Sequence, residues 1–159
     1  MFGLFNAPDC QHPVLGTFVW QRGRWRGGIV IPQQHRVPLI LAGSRKGPAP
    51  DALTLALALP ADFSAIAEPL CQALFEHYQA YCAAAPSDPP HAADAELPVL
   101  HHPEEALGYA RLSAVVIEPL GQQLTAELCY RVPWDEEHIL GARFRGRQWV
   151  ELCGSTLVP

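Results

Sequence analysis

Trp134-Asp135-Glu136-Glu137-His138 is the densest run of chemically capable side chains in the sequence. Three carboxylates and an imidazole offer oxygen and nitrogen donors for a divalent ion, with Asp135, Glu137 and His138 as the ligand set. The same groups would also serve to pair a carboxylic acid of raised pKa with a base. Spacing argues the other way. Consecutive residues of an extended segment point to opposite faces, so a site here would need recruits such as Glu118, His101 or His102. The run follows Pro133 and lies between two strands, which places it on a loop or sharp bend. There it reads as a structural corner: Trp134 packs into the core, Asp135 accepts backbone hydrogen bonds, and a carbonyl or carboxylate fixes His138. The corner is the preferred reading, and metal binding or catalysis is the alternative.

Other constellations are thinner. Cys10-Gln11-His12 with His35 supplies zinc-type donors, but at a one-residue spacing that is common by chance. His101-His102 precedes Pro103-Glu104-Glu105, which reads as an exposed helix start rather than a ligand pair. Ser113 and Ser155 stand in no G-x-S-x-G elbow, and no cysteine lies beside a histidine in a nucleophile pattern. Gly43-Ser44-Arg45-Lys46-Gly47 lacks the order of a phosphate-binding loop. No cofactor is expected from these residues.

A pattern W-D-E-E-H-x-x-G-x-x-F is carried by Trp134, Asp135, Glu136, Glu137, His138, Gly141 and Phe144. A hairpin ending in V-E-L-C-G, Val150 to Gly154, follows it. Together they resemble a family of uncharacterised bacterial domains of unknown function, in which a strand runs into W-D-E-E-H-G and a final hairpin. Ile139 stands here where that pattern has a glycine. The resemblance takes in the C-terminal part of the chain and implies no reaction.

The elements that must position these residues follow from periodicity and punctuation. Residues 17–43 read as N-terminal strands: Thr17 to Trp20 and Trp25 to Ile31 form a hairpin about Arg22-Gly23. Gly27-Gly28 marks a bulge or a close backbone approach. A third strand, Val37 to Ala42, contains Pro38 near its start, which predicts an edge position. Residues 50–85 read as helices, with Pro60 stopping one and Asp62 capping the next, and with either a kink at Pro69 or a division there into two shorter helices. In the second, Phe63, Ile66, Leu70, Leu74, Tyr78 and Tyr81 share one face. Residues 86–99 lack periodicity and read as a loop.

Residues 109–153 read as antiparallel strands. Leu124, Ala126, Leu128, Tyr130 and Val132 alternate with Gln123, Thr125, Glu127, Cys129 and Arg131, the pattern of a half-buried strand. It should pair antiparallel with Tyr109 to Glu118, and Leu140 to Phe144 should return as Gln148 to Cys153. Strands, then helices, then strands predict a single α+β domain built on antiparallel hairpins with a central helical block.

Composition sets the outer bounds. At 159 residues and 49% hydrophobic, the chain is long and apolar enough to bury one core. A net charge of −5 argues against a nucleic-acid partner, and alternation places Arg22, Arg24 and Arg26 on the solvated face of a hairpin. Five cysteines without a C-x-x-C pair predict free thiols, most of them small buried residues. No apolar stretch escapes interruption for the ~20 residues of a bilayer span, and Met1 to Pro13 carries no basic, apolar leader, so a cytoplasmic protein with no membrane partner is expected. The function expected is a non-enzymatic bacterial protein-interaction or immunity-like accessory domain with a possible protein partner. The alternative is a divalent-metal-dependent hydrolase or metal-binding protein using the Asp135 to His138 segment.

Overall fold

A computed structural model describes residues 8–84 and 97–157. Most of the expected 86–99 loop lies outside the described residues.

Eight strands form one mixed sheet: β1 (Asp9–His12), β2 (Gly16–Gln21), β3 (Arg24–Val30), β4 (Arg36–Leu41), β7 (Arg111–Leu120), β8 (Gln123–Val132), β9 (Asp135–Arg145) and β10 (Gln148–Gly154), side by side in that order. A two-residue pair, β5 (Gly43–Ser44) with β6 (Gly47–Pro48), forms a separate ladder. Every neighbour in the large sheet is antiparallel except β4 and β7, which run parallel over Leu39–Leu41 and Val115–Ile117. Antiparallel partners need only tight turns, whereas the β4–β7 crossover needs a long connection. That connection holds α1 (Pro50–Ala84) and α2 (Pro103–Tyr109). The α+β class and the hairpin pairing of β7 with β8 match the sequence reading.

The helical block differs. Residues 50–84 form one continuous helix that passes through both Pro60 and Pro69. Each proline removes one backbone bond. The buried stripe Ala52, Ala56, Leu59, Phe63, Ile66, Leu70 and Leu74 keeps its three-or-four spacing across both prolines, so packing on the sheet holds the helix together. By length and composition alone α1 is long and apolar enough to cross a membrane, a test that the core helix of a soluble protein also passes; the reading of interrupted apolar stretches did not anticipate it.

Pro38 is also placed differently. β4 lies inside the sheet, and Pro38 pairs with Gly28 of β3. On its other side the ladder to β7 takes in Leu39–Leu41 only. A residue without an N–H suits a stretch where no β7 partner is engaged, so Pro38 marks a local edge where β4 and β7 splay. Gly27 and Gly28 stay in register without a bulge. Their need is close approach: a Cβ on Gly27 would come within 2.6 Å of the Phe18 ring, and one on Gly28 would strike the Arg36 guanidinium.

One face of the sheet packs on α1 through Trp25, Leu39, Val115, Leu128, Tyr130 and Phe144. The opposite face was expected to meet water, and over β8 it does not. Thr125, Glu127 and Cys129 are as buried as Leu128. Ile40, Ala114, Val116, Cys129 and Leu157 form a second, smaller core there. The segment after β10 covers it. Three tethers that involve a side chain hold that cover: the Ser155 hydroxyl donates to Glu127, an Arg143 Nη donates to Thr156 Oγ1 at 3.0 Å, and an Arg24 Nη donates to the Leu157 carbonyl at 2.8 Å. Arg24 also pairs with Glu118 at 3.0 Å, so Arg24 and Arg26 lie on the outer face as expected but are partly buried, while Arg22 sits in the turn at φ 54°.

Candidate functional site

The acidic run does not occupy a loop. Pro133-Trp134 make the turn, and Asp135 already belongs to β9, paired with Val132 of β8. Tyr130 pairs with Leu140, so Glu136 to Ile139 bulge out opposite Arg131 alone. The bulge lets His138 fold back on Asp135 three residues earlier, with Nδ1 to Oδ1 at 2.7 Å.

A second imidazole, on α1, completes the cluster. His77 of α1 places Nε2 3.7 Å from the other Asp135 oxygen, and its Nδ1 accepts a hydrogen bond from Trp134 Nε1 at 3.1 Å. Trp134 is 1% exposed and meets the Tyr78 ring edge-on at 5.4 Å between centroids. The corner reading therefore holds for Trp134 and His138. It fails in one particular: Asp135 is held by two imidazoles rather than by the backbone amides expected.

Electrostatics separates the two histidines. Burial pushes His77 below the ordinary imidazole range and the His138 charge adds to that, with Asp135 opposing both. The hydrogen bond to Asp135 raises His138, helped by the Asp135 and Glu137 charges. Asp135 thus joins helix to sheet through a neutral His77 and leaves His138 as an exposed partner whose Nε2 meets no hydrogen-bond partner among the described residues. The dyad can move a proton at His138 Nε2.

Glu136 and Glu137 are exposed on the bulge. Among the described residues no three His, Cys, Asp or Glu side chains converge as a metal ion would require. The proposed recruits are elsewhere: Glu118 pairs with Arg24, and the amides of His101 and His102 donate to Glu105 at the start of α2. His12 Nδ1 accepts the amides of Val14 and Leu15, closing the β1–β2 turn instead of joining Cys10 and His35.

Sequence reasoning missed the buried polar centre on the outer face. Glu127 is fully buried, with its carboxylate accepting from Arg143 Nε at 2.8 Å and from the Ser155 hydroxyl. Arg143 continues to Glu151 at 2.7 Å. Burial pushes the neighbouring Cys129 thiol up to about 12, with the Glu127 charge adding to it, so this sulfur is no nucleophile. The signal was Gly141, within the C-terminal pattern: a Cβ there would come within 2.6 Å of the Glu127 carboxyl carbon. Only Cys129 of the five free cysteines is fully buried, and Cys82 is exposed, so the thiols are less buried than expected.

A protein-family model described as Domain of unknown function (DUF6985) matches residues 15–156. The chain belongs to the DUF6985 family. The DUF6985 match reaches from the β1–β2 turn to Thr156 in the covering segment, so the sheet from β2 onward, α1 and the Trp134 corner all fall inside it. Comparison with curated proteins gave no match. Comparison with solved structures gave none either.

Proposed function

We propose that this domain is a non-enzymatic interaction domain, an accessory or immunity-like partner in a bacterial cytoplasm, that docks another protein at one end of its sheet. The single observation behind the reading is what gathers at that end. The β1–β2, β3–β4 and β8–β9 turns and the α2–β7 junction all lie there, and they expose Val14 (75%), Val30 (54%) and Tyr109 (52%) beside Arg111 and Arg131. Exposed aromatic and aliphatic side chains with arginine are the composition of an interface centre. The acid–base groups of the corner, by contrast, are engaged with one another, and Asp135 spends both oxygens on His77 and His138.

The test is photo-crosslinking in an extract of the source cell, with a benzophenone amino acid placed at exposed Glu136 or, as control, at Arg45 near the opposite end of β4. One predominant protein captured from Glu136 and not from Arg45 is expected. Equal capture from both positions would defeat the reading, as would stoichiometric divalent metal in the purified chain, which would support the metal-dependent alternative at Asp135 and His138.

A further inference from the structure

Arg111 and Arg131 face each other directly across β7 and β8 as a register pair. Like charges directly opposed on one sheet face are destabilising, so an ion pair or a carboxylate between them would be expected. Neither makes an ion pair or a side-chain hydrogen bond among the described residues. They form the wall between two recesses. One, of about 320 Å³, opens where β4 and β7 splay at Pro38 and is lined by Gln34, His35 and Ser113 as well as the two arginines. The other, of about 470 Å³, adds Tyr109 and Glu136.

We propose that Arg111 and Arg131, with the exposed His35 that lines the first recess, receive the carboxylate of an acidic peptide segment on the protein partner. The proposal rests on the docking reading above and assigns its chemistry. Paired guanidinium forks match the planar, two-oxygen geometry of a carboxylate. Arg36 also lines the first recess, but its Nη2 donates to the Leu15 carbonyl at 3.2 Å and its head lies over Gly28, so it adds charge there rather than a free fork. With Arg36 counted, three guanidinium groups stand against the one carboxylate of Glu136, so the site is net positive and suits an anion; the phosphoserine and phosphate probes below discriminate among anions. The chain's net charge of −5 disfavours a nucleic-acid backbone.

The experiment is a titration of the full-length, 15N-labelled chain followed at the arginine Nε–Hε signals. Four probes are compared: an acetylated Gly-Glu-Glu-Gly amide, its Gln-Gln counterpart, a phosphoserine counterpart, and inorganic phosphate. Saturable shifts at Arg111 and Arg131 with the Glu peptide, and none with the Gln peptide, are expected. R111Q should weaken the response about tenfold or more, and R111K, which keeps the charge but not the fork, should lose most of it. R111Q removes one of two opposed like charges, so its melting temperature should not fall. Equal shifts at exposed Arg45 and Arg147, full retention by R111K, or a stronger response to either phosphate probe would overturn the assignment. A partner crosslinked from Glu136 in the absence of any peptide response would remove the carboxylate receiver and leave the docking surface standing. A peptide response without a crosslinked partner would do the reverse.

Discussion

Trp134 donates its indole N–H to His77 Nδ1 at 3.1 Å, and this one bond fixes the protonation of the helix–sheet junction. A nitrogen that accepts cannot also carry the proton, so His77 is neutral with its hydrogen on Nε2, facing Asp135. Charging His77 would set two N–H groups against each other.

The two histidines should therefore titrate on opposite sides of the ordinary value of 6.5. His77 is lowered in the fold, so its contribution to stability is present above the unfolded value and is lost as pH falls toward the folded one. His138 is raised, so its contribution is full below 6.5 and is lost as pH rises through the folded value. Imidazole carbon-bound proton shifts followed against pH check both signs. A His77 that titrates above 6.5 would contradict the Trp134 bond.

Arg143→Met should be among the most damaging single changes, at about 3–5 kcal/mol, because it leaves a fully buried Glu127 carboxylate without its cation. Glu127→Gln should cost less, about 1–2 kcal/mol, since Arg143 keeps Glu151 and partial exposure. Urea denaturation of the two variants gives the ranking. A reversed order would mean that solvent reaches Glu127.

Gly141→Ala should lower stability by about 1–3 kcal/mol, because the added methyl meets the Glu127 carboxyl in a space already filled. Gly108→Ala has nothing within 4 Å and lies in α2, so it should be neutral or stabilising by roughly 0.5–1 kcal/mol. Paired thermal melts read the contrast. Equal effects would remove the packing argument.

Leu128→Ala, at a fully buried position on the helix side of β8, should cost about 2–5 kcal/mol in chemical denaturation. A loss below about 1 kcal/mol would be that of a surface residue.

Five thiols should react in denaturant without reductant, and in the native protein Cys82 should react first and Cys129 last. Mass-resolved alkylation over time gives the order. Early labelling of Cys129 would mean that the cover formed by Ser155 to Leu157 is open in solution.

Where alternation and turn residues spoke to the same face, sequence and structure agree: Leu128 and Tyr130 point into the main core, and Arg22-Gly23 turns the β2–β3 hairpin. Long-range coverage was not legible. A strand pattern with Glu127 and Cys129 on one side reads as solvent-facing, and nothing local announces that Ser155 to Leu157 will fold over that side. Pro60 and Pro69 misled in the same way, because their local cost is visible in sequence whereas the continuous stripe of contacts with the sheet is a tertiary fact. At the Trp134 corner the run itself was found, but His77 was not. It lies 57 positions before Trp134, on a helix whose register the prolines obscured.

The Arg24 to Leu157 bond spans 133 positions. Closing so long a loop carries a chain-entropy cost that contacts within each hairpin do not, so the outer cover should assemble after β2–β3 and β7–β8 have formed. The same separation makes it a natural first unit to open. The Ser155 amide bonds to the Ile139 carbonyl at 2.7 Å. Deuterium should enter at that amide well before it enters at Leu128, exposing the Glu127–Arg143 pair to water in molecules whose main core is still closed.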